Sequence, residues 1–184
     1  MNIQSIVASL PYYLRRHKLI QFLLLISPNS RIQLIQFNGT ARLFADLGDP
    51  WPRQILIAEN CEPEFFFIAA KFLSKGGVFF DVGANFGFLS FGLMAELINS
   101  DISYHLFEAN PNIYQLLVRS KELYNEQKFW NNNCCVTDKN GYSKLKIESN
   151  NSQLSFISDD GDREVKNILL DDYILNHSVQ KVNF

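Results

Sequence analysis

The sequence is short of cysteine, balanced in charge and free of long apolar runs, and each of these removes a class of protein. Three cysteines in 184 residues, two of them the neighbours Cys134 and Cys135, are too few for a disulfide scaffold. Reduced thiols and a cytoplasmic location are expected. The 17 basic and 19 acidic side chains leave a net charge of −2. That is not the strong positive balance of a nucleic-acid binder, and no nucleic-acid partner is expected. No stretch of about 18 apolar residues occurs, so no transmembrane span is read. There is no phosphate-binding Gly-Lys-Ser/Thr loop, no Gly-x-Gly-x-x-Gly fingerprint and no internal repeat. His17, His105 and His177 lack metal-ligand spacing to one another or to a cysteine, so no metal is expected. What the chain does have is apolar mass: 16 Phe, 7 Tyr and 47% hydrophobic residues exclude a disordered chain.

Three regions follow one another. Residues 1–30 are an N-terminal helical segment, with one or two helices over 1–27 broken near Pro11 and a turn cluster at Ser27-Pro28-Asn29-Ser30. Arg15-Arg16-His17-Lys18 ahead of residues 19–26 imitates a signal peptide. However, Gln21 interrupts the apolar run, the basic residues come late, and the turn cluster is a poor cleavage site. The better reading is an amphipathic helix that packs on a core, lies on a membrane surface or makes a dimer contact. Residues 31–75 hold a β-hairpin, with strands at 32–37 and 41–47 around Asn38-Gly39, and then a loop at 48–52. A helix follows, capped by Asn60 or Cys61, with Pro63 in its first turn; it ends at Gly76-Gly77. Phe65, Phe66 and Phe67 cannot share one face of it, so one ring should meet a neighbouring element, here the N-terminal helices.

In residues 76–184 the pattern changes to short strands alternating with helices. Strands are expected at 78–82, 103–107 and 128–136, with helices at 88–99 and from Pro111 to about residue 125, the latter capped by Asn110. This is an α/β pattern with a mostly parallel sheet and flanking helices. A hairpin at 144–147 and 153–157, a solvated polar stretch over 149–162, a strand at 165–170 and a helix at 171–176 follow. Residues 181–184 read as the first residues of another strand.

The chemistry sits at Asp81-Val82-Gly83-Ala84-Asn85-Phe86-Gly87, which follows a buried strand and opens a helix. Glycines there allow a sharp turn and close approach of a ligand to the main chain. A second acid, Glu108, closes the next strand, 21 residues after Gly87. At that spacing a carboxylate can take both hydroxyls of a ribose. An acid at the strand end repels a pyrophosphate and suits a cationic ligand such as the ammonium and sulfonium of S-adenosylmethionine. Each residue also has a plainer reading. Gly83 and Gly87 can be a structural turn, Asp81 a helix cap and Glu108 a surface acid. Asp138 leans toward a turn residue within Asp-Lys-Asn-Gly, and Asp171 and Asp172 toward the acidic start of a helix.

The stretch from Gly76 to Ser90, with Gly76-Gly77-Val78-Phe79-Phe80-Asp81-Val82-Gly83-Ala84-Asn85-Phe86-Gly87, resembles motif I of the FkbM-type S-adenosylmethionine-dependent methyltransferases. Leu106-Phe107-Glu108-Ala109-Asn110-Pro111 is similar to their second motif, with Ala109 where Pro is usual. Val136-Thr137-Asp138-Lys139-Asn140-Gly141 and Leu169-Leu170-Asp171-Asp172-Tyr173 resemble later blocks. The resemblance covers residues 40–184. It implies a Rossmann-like class I methyltransferase fold with S-adenosylmethionine as cofactor. The acceptor it implies is a small molecule or glycan, methylated on a hydroxyl. By the same resemblance Gly83, Ala84, Asn85 and Gly87 would shape the loop around the methionine part, and Asp81 would orient that loop or hold the amino group through water. Glu108 would bind the ribose, and Asp138 would approach the adenine edge. In the family the segment like Lys181-Val182-Asn183-Phe184 continues as Leu-Lys-Ile-Asp-Val-Glu-Gly. The expectation is therefore a partial methyltransferase domain over 76–184, incomplete at its C-terminus, in which no catalytic base is assigned. The alternative is a non-catalytic binding protein that docks through an open sheet edge.

Overall fold

A computed structural model describes residues 1–124, 128–148 and 151–184. Helix α1 (Ile3–Ala8) is capped by Asn2, whose side chain accepts from the Ser5 N–H. The break at Pro11 leads through a 3-10 turn at Tyr12–Leu14 into α2 (His17–Ile26). Arg15 clamps this corner: it donates to the Leu10 and Ala8 carbonyls at 2.9 and 3.0 Å and pairs with Glu59. The two helices send Ile3, Val7, Ile20 and Leu23 into the main core. Strands β1 (Ile32–Phe37) and β2 (Ala41–Asp46) form the expected antiparallel hairpin. Asn38 and Gly39 both take positive φ, 44° and 79°, in the three-residue turn between the paired Phe37 and Ala41. Asn38 also braces the turn, accepting from the Cys61 N–H at 2.8 Å and donating to the Cys61 carbonyl at 3.2 Å. The open edge of β2 is not left bare. The Arg42 N–H donates to Tyr124 Oη at 2.7 Å and the Phe44 N–H to Ser120 Oγ at 2.8 Å.

The loop expected at 48–52 is instead the start of a helix, α3 (Pro50–Ala58). Asp49 caps it by accepting from the Trp51 N–H at 2.9 Å. Two prolines so close together read as a loop, but the first helical turn has no use for their missing N–H groups. Helix α4 (Pro63–Leu73) starts after Glu62, with φ 36°, rather than after Asn60 or Cys61. The phenylalanine run fans out around it. Phe66 is buried against Gly92. Phe67 is exposed beneath the Lys71 ammonium, 4.1 Å from the ring centre. Phe65 meets Phe79 and Phe184 at 6.2 and 5.5 Å rather than the N-terminal helices. At about 100° of turn per residue, three consecutive rings must point three ways.

Strands β3 (Gly77–Val82), β4 (Ile102–Phe107) and β5 (Phe129–Asn132) form a parallel sheet in that order. They alternate with α5 (Phe88–Glu96) and α6 (Pro111–Lys121), the latter ending a turn short of the end expected near residue 125. Side chains pack on both sheet faces, which is why apolar residues such as Phe79 and Phe80 sit next to each other along a strand. Phe79, Tyr104, Leu106 and Phe129 face the main core with α4, α5 and the hairpin. Phe80 and Phe107 face a second cluster with Tyr173. His105 lies on that second side, its Nδ1 2.8 Å from Tyr173 Oη and its ring stacked on Trp130 at 4.6 Å. Burial, aided by His177, holds its pKa down at about 4.

The strand expected over 128–136 divides in two. The chain leaves the parallel sheet after Asn132, and the Asn133 side chain donates to the carbonyls of Glu108 and Ala109. Beyond it β6 (Cys135–Val136) joins a second sheet with β7 (Gly141–Lys146), β8 (Phe156–Ile157) and β9 (Arg163–Ile168), in the order β6-β9-β7-β8. Only β6–β9 is parallel there; β7 is antiparallel to both its neighbours. Among the described residues, the mostly parallel sheet expected over 76–184 is therefore two small sheets, one wholly parallel and one mixed, in a mixed α/β structure. Of the polar stretch over 149–162, residues 149 and 150 lie outside the described residues. Helix α7 (Leu170–Asn176) carries Tyr173. Residues 181–184 form no assigned strand, yet they run beside the free edge of β3. The Asn183 N–H donates to the Val78 carbonyl and the Phe80 N–H to the Phe184 carbonyl, both at 2.9 Å. Among the described residues no helix is long and apolar enough to cross a membrane.

Phe91 on α5 ties the helical layer to the sheet, stacking on Tyr124 and Phe129 at 5.2 and 5.3 Å with no exposure to solvent. Phe91→Ala should lower the unfolding free energy by about 3–5 kcal/mol, measured as a shift of the urea midpoint at unchanged slope.

Candidate functional site

The turn after β3 is built against the end of β4. The N–H groups of Gly83 and Ala84 both donate to the Phe107 carbonyl, at 2.9 and 3.0 Å. The next N–H, that of Asn85, donates to Glu108 Oε2 at 2.7 Å. The other oxygen of that carboxylate accepts from the Asn110 N–H at 2.7 Å, and Asn110 in turn caps α6 through the Asn112 N–H. Asn85 holds a left-handed conformation, φ 52°, which Asn tolerates better than most residues.

The two glycines serve different ends. At Gly83, φ 78°, nothing lies within 4 Å of where a Cβ would be, so the backbone is open toward a ligand. At Gly87, φ 82°, a Cβ would come within 2.6 Å of the Phe91 ring. Gly87 thus lets α5 start hard against its own second turn and shapes the loop from behind.

Asp81 is buried and accepts from Ser90 Oγ at 2.5 Å. It does not cap α5, whose cap is Gly87. Burial raises its pKa to about 6 against the opposing effect of the Ser90 hydrogen bonds. Burial raises Glu108 as well, with the Asn110 and Asn85 N–H groups opposing and the Asp81 charge adding to it.

These groups border a cavity of about 430 Å³, within the roughly 300–1,000 Å³ of small-molecule sites. Asp81, Gly83, Ala84, Asn85 and Glu108 all line it. Gly87 is not on its wall, and Asp138 is exposed in the turn beyond β6, away from it. Glu62 is a third acid on the wall, and among the described residues that line it none is basic. Trp51, Phe88, Leu89 and Phe156 supply apolar surface. A site of this kind favours a ligand with positive charge, hydroxyl groups and an apolar or aromatic portion, and disfavours a phosphate.

The far wall escaped the sequence reading. Ahead of β8, Ser152 lies against the glycine loop, its Oγ 2.9 Å from Asn85 Nδ2. The Ser152 N–H donates to the second oxygen of the α3 cap, Asp49 Oδ2, at 2.6 Å. These partners lie 67 and 103 residues apart in the chain, and no local pattern links them. Cys61 and Cys135 also line the cavity as free thiols. Burial pushes the Cys61 pKa up to about 12, so it is a packing group and not a nucleophile at neutral pH.

The chain matches no family model, no curated protein and no solved structure with which it was compared.

The acid under the loop has a measurable signature. A hydrogen bond donated to a carboxylate favours its charged form, so Ser90→Ala should raise the Asp81 pKa beyond about 6, read by carbon NMR of the side-chain carboxyl. Asp81 in the fold binds its proton more tightly than the ordinary carboxyl at 3.8. Its contribution to stability therefore declines as pH rises from about 4 to about 6. Asp81→Asn should remove that part of the decline in urea titrations across this range.

Proposed function

We propose that the protein binds S-adenosylmethionine at this cavity and acts in methyl transfer to a hydroxyl of a sugar or related natural product, in the manner of the FkbM-type methyltransferases that residues 40–184 resemble. The observation that carries the reading is Glu108. It closes the strand next to the glycine loop, fixed by a main-chain donor on each oxygen, at the edge of a cavity with acids and no described base. The β3-α5-β4-α6-β5 order, with a parallel sheet and the loops at its carboxyl end, supports a Rossmann-like methyltransferase domain. Unbridged thiols support a cytoplasmic location.

The residues fit the cofactor in kind. A carboxylate has about four acceptor positions. Each Glu108 oxygen uses one on a backbone N–H and keeps capacity for a ribose hydroxyl. The open backbone at Gly83 admits close approach of the methionine portion. Asp81 and Glu62 give the negative surroundings that a sulfonium and an ammonium require, and Trp51 and Phe88 offer apolar walls. When bound, the cofactor supplies a methyl group on a cationic sulfur. The protein's part is orientation: the loop, Glu108 and the Ser152 segment hold one reactant against the other and keep water away, from which most of the rate gain would come.

Titration calorimetry of the protein with S-adenosylmethionine tests this. Saturable binding is expected, weakened by about 10- to 100-fold in Glu108→Ala through loss of hydrogen bonds to a charged group. An absence of both heat and thermal shift at millimolar cofactor would overturn the reading. Tight saturable binding of a nicotinamide dinucleotide instead would replace it with an oxidoreductase.

A further inference from the structure

Helix α2 is anchored on one side only. Ile20 and Leu23 face the core. The opposite side carries Lys18, Phe22, Leu25 and Ile26 at helical spacing, and Leu25 is 79% exposed. The 3-10 turn just before it exposes Tyr12 and Tyr13, at 68% and 67%, and Leu14. Exposure of this much aromatic and branched aliphatic surface along one short stretch marks an interaction face rather than scattered apolar residues.

The segment that carries this face has charge of one sign. All 19 acidic residues lie at or beyond Asp46, whereas residues 1–45 contain five Lys and Arg and no acid. The remaining 139 residues hold 12 basic and 19 acidic side chains, so the segment that carries the apolar face has a net charge of +5 and the rest of the chain −7. Arg15 is committed to Glu59 and to the corner of the helices, and Arg31 to Asp46. Arg16 and Lys18 are exposed, and among the described residues neither takes part in an ion pair.

We propose that the outward face of α2 and the Tyr12–Leu14 turn seat the protein on an anionic lipid surface. The aliphatic side chains and Phe22 enter the boundary between headgroups and acyl chains. Tyr12 and Tyr13 place amphipathic rings at headgroup level, where tyrosine concentrates. Arg16 and Lys18 meet the negative surface potential of the leaflet. A nucleic acid would call for a run of cations tracking a backbone; here two cations are interleaved with branched aliphatic side chains. The inference is independent of what fills the cavity at Glu108.

Flotation of the full chain with vesicles tests it. The protein should float with mixed phosphatidylcholine–phosphatidylserine vesicles, less so as salt rises, and weakly with phosphatidylcholine alone. Phe22→Ser with Leu25→Ser should reduce the bound fraction on mixed vesicles about tenfold, and Arg16→Gln with Lys18→Gln should do so by about tenfold while flattening the salt dependence. All four positions are exposed, and circular dichroism and the melting temperature check that the variants fold. Failure to float with either vesicle, or variants that float like the parent, would overturn the proposal. So would a dimer by light scattering that the Phe22→Ser, Leu25→Ser variant abolishes, or preferential binding to a single-stranded oligonucleotide.

Discussion

Everything at the cavity hangs on the carboxylate of Glu108 and the two main-chain donors that hold it. Burial alone would make a charged side chain costly there, and the donors offset part of that cost. The same bonds set geometry. One comes from the loop after β3, the other from the cap of α6, so a single side chain fixes two loops relative to each other. Without it the Asn85 N–H would lose its partner at a residue already in a left-handed conformation, and the loop would have no reason to keep that shape.

Behind the loops stands a sheet covered on both faces. Phe79 and Phe80, adjacent on β3, enter opposite clusters, as do Leu106 and Phe107 on β4. A scaffold with side chains packed on each side gives the strand ends little freedom, and function is then carried by the loops they position. The acids follow from the same arrangement. Asp81 lies inside the strand end, where burial favours its neutral form and the Ser90 hydrogen bond its charged form, whereas Glu108 lies just past the next strand end and is held by backbone. Two carboxyls near one cavity thus differ in environment, and the sum remains negative.

Much of the hairpin and of the parallel unit was legible because the signals are local. Asn38-Gly39 spells its hairpin turn, Asn110-Pro111 its cap and first helical residue, and the run Val78 to Val82 its buried strand. The errors have physical causes too. Pro50 and Pro52 look like a loop unless Asp49 is seen as a cap. The stretch from Lys128 to Val136 is apolar and polar in the right measure for one strand, but the bonds from Asn133 to the end of β4 turn the chain away after Asn132. Asp81, Glu108 and Gly83 of the first cavity wall were legible from order along the chain. Its second wall was not, because Ser152, Asp49 and Asn85 meet only through tertiary structure. Asp138, chosen by likeness of its block, sits in an exposed turn outside the cavity.

The way β2 is closed off couples parts of the chain that are distant in sequence. Its outer amides at Arg42 and Phe44 are paired not with a strand but with the hydroxyls of Tyr124 and Ser120, 82 and 76 residues away. Their hydrogen bonds therefore last only while α6 and the Tyr124 that follows it stay docked. The hairpin and α6 must open together, as one cooperative unit, and slow exchange of those two amide hydrogens is a direct gauge of how long the helix layer stays shut.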